Sequence, residues 1–289
     1  AILRGGGIAT IMHFAGSIVV PESTKDPLGY YLNNTVKSRT LIEAAVRHGV
    51  GSFVFSSTAA VYGIPSEVPI PETALLQPIN PYGWSKLMTE QMLRDTDTAH
   101  GLRFVALRYF NVAGADPLGR TGQCSKVSTH LIKIAAEYLT GRRDRVEIFG
   151  TDYDTPDGTA VRDYIDVGDL ADAHVHALRH LLDGKGSMIA NCGYGHGYSV
   201  REVLEVASKV AGRKIHIIEA PRRAGDPPAL IAKCDRVRSE LGWRPTRDNL
   251  DTIIENALMW EESLSNGSHD QGKSSSAAVP QVQAGARLT

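Results

Sequence analysis

The chain has 289 residues, 42% hydrophobic and 22% charged, the balance of a globular protein with room for one large core or two modest ones. Its 31 basic and 32 acidic residues are interspersed and leave a formal net charge of -1, so there is no basic stripe of the kind that nucleic-acid binding needs. Apolar runs are strand-length and broken by polar residues, which rules out a bilayer span, and no signal-peptide pattern opens the chain. Cys124, Cys192 and Cys234 stand far apart with no CxxC pair. They are read as buried packing residues in a reducing cytoplasm.

In chain order, Ala9 to Phe14 reads as a buried strand. Asn33 to His48 reads as a helix, with Val36, Thr40, Leu41, Ala44 and Ala45 on one side and Gly49 after its end. Ser52 to Ser56 is the next strand, followed by a Pro- and Gly-rich loop from Gly63 to Pro81. A helix is predicted from about Tyr82 to Arg94, then a strand from Arg103 to Tyr109. This alternation predicts an α/β fold with a Rossmann-like, doubly wound parallel sheet that takes nucleotides at its strands' carboxyl ends.

The second half changes character. Val146 to Phe149 reads as a short strand between polar loops, and Ser199-Val200-Arg201-Glu202 is a capping box that opens a helix. These elements predict a smaller α/β substrate-binding lobe. The division places 1–112 and 159–183 in the dinucleotide-binding domain and 113–158 and 184–264 in the lobe. From Ser265 to Thr289, Gly, Ser, Gln and Ala dominate without apolar periodicity, and that tail is expected to be disordered.

The strongest chemical signal is Tyr82-Gly83-Trp84-Ser85-Lys86. On a helix, residues at i and i+4 share a face, so phenol and ammonium can address one site. A nearby cation favours the phenolate, and a tyrosine so tuned can serve as general base near neutral pH. Alone, such a pair is more often a solvated helix face. The preceding strand changes that weighting, because it ends in Ser56-Ser57-Thr58 and then Ala59-Ala60-Val61-Tyr62-Gly63. Hydroxyls at a strand's carboxyl end sit where this fold class places its ligand. Ser56 is equally read as capping a turn, whereas Thr58 is the better candidate to bind a reacting hydroxyl.

With His13-Phe14-Ala15-Gly16, Asn33-Asn34, Arg108-Tyr109-Phe110-Asn111-Val112-Ala113-Gly114-Ala115, Ile148-Phe149-Gly150-Thr151-Asp152-Tyr153, the run Asp157 to Ile165, and Ala220 to Asp226, the chain resembles the extended short-chain dehydrogenase/reductases. Within them it is most similar to the UDP-glucose 4-epimerases, from Ile11 to about Glu262. The resemblance implies an isomerase of galactose and nucleotide-sugar metabolism that holds NAD tightly. It would oxidise C4 of UDP-glucose or UDP-galactose, turn the 4-keto sugar over and reduce it on the other face. It also implies a cytoplasmic enzyme that is a homodimer when full length. Residue by residue, Tyr82 would be the base, with Lys86 its partner and a ribose ligand, and Thr58 would hold the sugar 4-hydroxyl. Phe14, Ala15, Gly16, Asn33, Ser56, Ser57 and Phe110 would join Tyr82 and Lys86 around NAD. Asn111, Leu131, Phe149, Arg162, Arg223, Asp226 and Leu230 would join Thr58 around the UDP-sugar, with Phe149 against uracil and the arginines suited to a pyrophosphate.

Other features carry plainer readings. His174, His176 and His180 lie on one helix, and no HExxH pattern or carboxylate partner accompanies them, so a helix surface is expected and not a metal site. Gly193-Tyr194-Gly195-His196-Gly197 lacks the Walker lysine and reads as the turn before the capped helix. Trp243 and Trp260 read as packing residues. Departures from the family pattern fall at Ile18, where a lysine is frequent, at His130, where an asparagine is frequent, and at Leu230, where a tyrosine is frequent. Gly5-Gly6-Gly7 is not the G-x-x-G-x-x-G turn that seats a pyrophosphate, and no strand precedes it. The resemblance therefore implies roughly two further βαβ units, about 30 residues each, ahead of this sequence. One rival reading is a 4,6-dehydratase or UDP-glucuronate decarboxylase, whose acidic residues after the threonine are Ala59-Ala60 here. The other is a non-catalytic UDP-sugar-binding remnant.

Overall fold

The computed structural model describes Leu3 and residues 7–125, 128–223 and 226–270. Its central sheet is parallel, in the order β1 (Thr10–His13), β2 (Ser52–Thr58), β3 (Arg103–Tyr109) and β8 (Met188–Cys192). Side chains alternate across a strand, and here the alternation sorts two cores. Phe53, Phe55, Phe104 and Ala106 pack with Ile42 and Ala45 of α3 (Lys37–Arg47) and with Leu93 of α4 (Pro81–His100). Val54, Val105 and Leu107 turn the other way, into a cluster with Ala173, Ala177 and Leu181 of α6 (Val167–Leu182). That second cluster runs on without a break to Ile148, Leu204, Trp243 and Leu258.

Before α3 come α1 (Val20–Lys25), α2 (Pro27–Tyr30) and a π-helical turn, Tyr31–Val36. Outside the central sheet, β4 (Asn111–Ala113) pairs with β7 (Tyr164–Asp166), and β5 (Val146–Phe149) with β10 (Ile217–Ala220). A third small sheet has the order β11 (Ala229–Leu230), β6 (Val161–Arg162), β9 (Tyr198–Ser199). The remaining helices are α5 (Leu131–Leu139), α7 (Val200–Val210), α8 (Asp235–Glu240) and α9 (Leu250–Asp270). The capping box at Ser199 forms as expected, with Ser199 Oγ accepting from Glu202 N and Glu202 returning a bond to Ser199 N.

Several expectations are corrected. The segment from Asn33 is not one uniform α-helix, and its buried face is Asn34, Ser38, Ile42 and Ala45, with Val36 and Thr40 exposed. Polar side chains hold that face because they find partners there: Ser38 Oγ meets His13 Nε2 at 2.9 Å. Helix α4 runs six residues past Arg94 to His100 and stops at Gly101, whose φ of 69° ends the helix left-handed. His174 and His180 are buried, not surface, each bonded through a ring nitrogen to the carbonyl of Leu170 or Gly186. Cys124 is exposed, while Cys192 and Cys234 are buried. Helix α9 continues through Asp270, beyond the expected start of the tail at Ser265, and 271–289 lie outside the described residues. Gly5 and Gly6 lie outside them too. No helix among the described residues is long and apolar enough to cross a membrane.

Candidate active site

The site assembles at the carboxyl ends of β1, β2 and β3. Thr58 closes β2 by capping a 3-10 turn, Ala59–Tyr62, its Oγ1 accepting from Ala60 N at 3.1 Å. Asn80 caps α4 by accepting from Gly83 N at 2.8 Å, with Pro81 at the first helical position. Gly83 permits the two turns to touch: a Cβ there would come within 2.6 Å of the Ala60 carbonyl. This close approach sets Tyr82 beside Thr58.

Tyr82 is buried, and burial pushes its phenol well above the ordinary range; Tyr109 adds to that rise and the Thr58 bond opposes it. The expectation that Lys86 lowers this pKa is therefore corrected. Lys86 is itself buried, donates from Nζ to the Ser56 carbonyl at 2.9 Å, and is brought down to about 8 by desolvation. The burial of both groups outweighs the attraction that their helical spacing suggested. Burial, then the Lys86 charge, also pulls His13 down to about 4.

Around this pair lie most of the residues expected to meet a cofactor. The Gly16 backbone approaches Lys86 so closely that an added Cβ would sit 3.6 Å from Nζ and 3.1 Å from Asn34 Oδ1. Ala15 and Phe14 are exposed beside it, and the Phe14 ring lies 4.8 Å from the His174 ring. Asn33 donates to Ser17 Oγ at 2.9 Å. Ser56 Oγ bonds the Tyr109 hydroxyl on the α6 face of the sheet. Ser57 points the opposite way: it is fully buried and donates to Glu90 Oε1 at 2.5 Å. Strand alternation thus removes its hydroxyl from the cofactor set and leaves only its backbone there.

Asn34 was given no role from sequence, yet it ties these parts together. Its Oδ1 accepts from Ser17 N at 2.8 Å, and its Nδ2 reaches Ser17 O at 2.9 Å and Ser85 Oγ at 3.1 Å. Ser85 in turn donates to the Tyr82 carbonyl at 2.7 Å. The available signal was the pair of adjacent asparagines, which apolar periodicity ignores.

The substrate-side candidates form a second group. Leu230 pairs with Arg162 across β11 and β6. Burial lowers the Arg162 pKa and Asp226 opposes the change. The Arg223 guanidinium lies 3.7 Å over the Phe149 ring, so two residues assigned to separate parts of the nucleotide are in contact with each other. Asn111 starts β4, Leu131 starts α5 half-buried, and Phe110 is buried in the core.

A parallel α/β sheet with a Tyr-x-x-x-Lys pair at its strand ends defines a nucleotide-dependent enzyme of the short-chain dehydrogenase/reductase class. The chain belongs to the NAD dependent epimerase/dehydratase family, whose model matches residues 1–193. It is 62% identical over 263 residues to a UDP-glucose 4-epimerase of Azospirillum brasilense, covering 91% of this chain and 76% of that one. The crystal structure of the UDP-glucose 4-epimerase from Bifidobacterium longum in complex with NAD+ and UDP superposes with a TM-score of 0.87 at 40% identity, over 92% of this chain and 80% of that one. The Brucella ovis UDP-glucose 4-epimerase in complex with NAD gives 0.85 at 44% identity, over 88% and 78%.

Proposed function

We propose that the chain is an isomerase that interconverts UDP-glucose and UDP-galactose through a 4-keto sugar, with NAD as its cofactor. The observation that carries this reading is the Tyr82 phenol, buried against Thr58 at the strand ends one helical turn from Lys86. The residues fit a dinucleotide, because a Cβ on Gly16 would fill the space between Asn34 and Lys86 where backbone must stay slim. Phe14, Ala15, Gly16, Asn33, Ser56, Lys86 and Phe110 would hold it, with Ser57 contributing backbone only. When bound, the nicotinamide supplies a reversible hydride acceptor for the sugar C4.

The remaining work belongs to the chain's own side chains. Tyr82, once ionised against the cost of its burial, takes the proton of the 4-hydroxyl and returns it after the sugar has turned. Thr58, beside Tyr82, orients that hydroxyl and favours the phenolate. Phe149, Arg162, Arg223 and Asp226 anchor the nucleotide while Asn111, Leu131 and Leu230 border the sugar. Ala59 and Ala60, in the turn after Thr58, offer no acid for elimination, which favours epimerisation over the dehydratase chemistry. The reading also takes in a homodimer in the cytoplasm and the two-lobe division 1–112 with 159–183 against 113–158 with 184–264.

Tyr82→Phe removes only the hydroxyl and leaves the ring in its pocket. Turnover of UDP-galactose is expected to fall about 10²–10⁴-fold, the range for loss of a general base, with bound NAD retained. Near-normal epimerisation by this variant would remove Tyr82 from its role.

A further inference from the structure

The glycine-rich run Gly193 to Gly197 has no phosphate lysine, and the structure supplies a different anion for it. Asp163, in the link between β6 and β7, is fully buried. Its Oδ1 accepts from Tyr194 N at 2.9 Å, while Oδ2 accepts from Gly195 N at 3.0 Å and from Ala232 N at 3.2 Å. Among the described residues no basic side chain forms an ion pair with it. Consecutive backbone N–H groups that would cradle a phosphate elsewhere thus cradle the protein's own carboxylate. Gly193 is required for this closure, because a Cβ there would lie 2.5 Å from Asp163 Oδ2 and 2.9 Å from the Ala232 Cβ.

The Asp163 backbone faces the proposed substrate residues. Its carbonyl accepts from Asn111 N at 2.9 Å and its N–H donates to the Leu230 carbonyl at 3.0 Å. Arg162 is its neighbour in sequence. One residue therefore joins the end of β3 and start of β4, the strand β11, the segment at Ala232, and the turn after β8. None of these bonds involves Tyr82, Lys86 or Gly16.

We infer that Asp163 is a positioning residue that sets the sugar end of the substrate cleft by locking the Gly193–Gly195 turn and Ala232 against Asn111 and Leu230; this rests on the epimerase reading above. Burial raises the carboxyl pKa, and the three amides and the nearby His196 oppose the rise.

The test uses two variants that disturb the junction from opposite sides. Asp163→Asn replaces an acceptor oxygen with an N–H donor facing backbone amides, and Gly193→Ala keeps the carboxylate but crowds it. Each is expected to raise KM for UDP-galactose about 10-fold or more while kcat falls less than about threefold, since small misplacements at a binding site are that costly. Bound NAD, measured after denaturation, is expected to match the parent chain. KM within twofold of the parent for both variants overturns the inference. So does a parallel loss of bound NAD, activity and melting temperature in both, which marks a purely structural role. Calorimetric titration with UDP-galactose separates the two proposals. A parent chain that binds but does not epimerise sinks the epimerase reading alone, and variants that bind as tightly as the parent sink the role of Asp163.

Discussion

Lys86→Met should make the protein more stable and less active, and the structure gives the size of the trade. The Lys86 side chain is 4% exposed, and burial brings its pKa from an ordinary 10.5 to about 8. At 1.36 kcal/mol for each pH unit, keeping the ammonium charged at pH 7 costs about 3 kcal/mol. Methionine fills a similar volume without that cost but loses the 2.9 Å charge-assisted bond to the Ser56 carbonyl, worth about 1.5–3 kcal/mol. A net gain of about 0–2 kcal/mol is expected at pH 7. The sign with pH follows from linkage. The unfolded chain binds the proton more tightly, so the cost is fully present below pH 8 and disappears as pH rises from about 8 towards 10.5. The advantage of the methionine variant is therefore largest at pH 7 and shrinks across that window. Urea unfolding of both proteins at half-unit steps from pH 7 to 10 measures it directly. A variant destabilised at pH 7, or a difference that stays constant with pH, would refute the reasoning.

Arg108→Met leaves Glu90 in the core with Ser57 Oγ as its remaining side-chain partner, because Arg108 supplies two bonds to that carboxylate, at 2.9 and 2.6 Å. A loss of about 3–5 kcal/mol is expected, with much of it recovered in the double variant with Glu90→Met; denaturant titration reads both, and a single-variant cost below about 1 kcal/mol would contradict the buried-pair argument. Leu230→Ala is expected to open the sugar pocket and raise the kcat/KM of UDP-N-acetylgalactosamine relative to UDP-galactose by about 10-fold, within the 1–3 kcal/mol that one group's fit supplies. An unchanged ratio would take Leu230 out of the pocket.

The central strands and the start of α4 were legible from sequence because β2 and β3 carry apolar runs and Pro81 opens the helix, whereas its end at Gly101 was missed. The two-faced packing of the sheet was not legible, and it decides where the hydroxyls of Ser56, Ser57 and Thr58 point. Three consecutive hydroxyls look equivalent in a sequence, yet strand parity commits Ser57 to Glu90 and leaves Ser56 facing Tyr109. The α3 face was misjudged for a related reason. Apolar periodicity cannot see that Asn34 and Ser38 are buried with hydrogen-bond partners, while Val36 is exposed. The Tyr82/Lys86 pair was legible as a pair, but its electrostatics were not, since spacing reveals attraction between two groups and conceals what it costs to bury both. Asp163 escaped notice altogether, because its partners are backbone amides from two distant segments.

Helix α4 shows how these levels connect. Tyr82, Lys86 and Glu90 recur every four residues, so one helical stripe faces the sheet along its whole first half. Near the strand ends the stripe carries the Tyr82 phenol and the Lys86 ammonium, the latter on the Ser56 carbonyl. One turn further in it carries Glu90, locked to Arg108 of β3, whose Nη1 also reaches the Tyr62 hydroxyl at 3.0 Å. Tyr62 closes the 3-10 turn that Thr58 opens. Its hydroxyl donates in turn to Asn191 Oδ1 at 2.6 Å, and Asn191 Nδ2 to the Ile70 carbonyl at 2.7 Å. The buried ion pair thus ties the helix that bears Tyr82 to the turn that Thr58 caps. A site that keeps a charged lysine in the core at a cost of about 3 kcal/mol depends on such a frame, because Lys86 stays buried only while the helix that also carries Glu90 is held against the sheet.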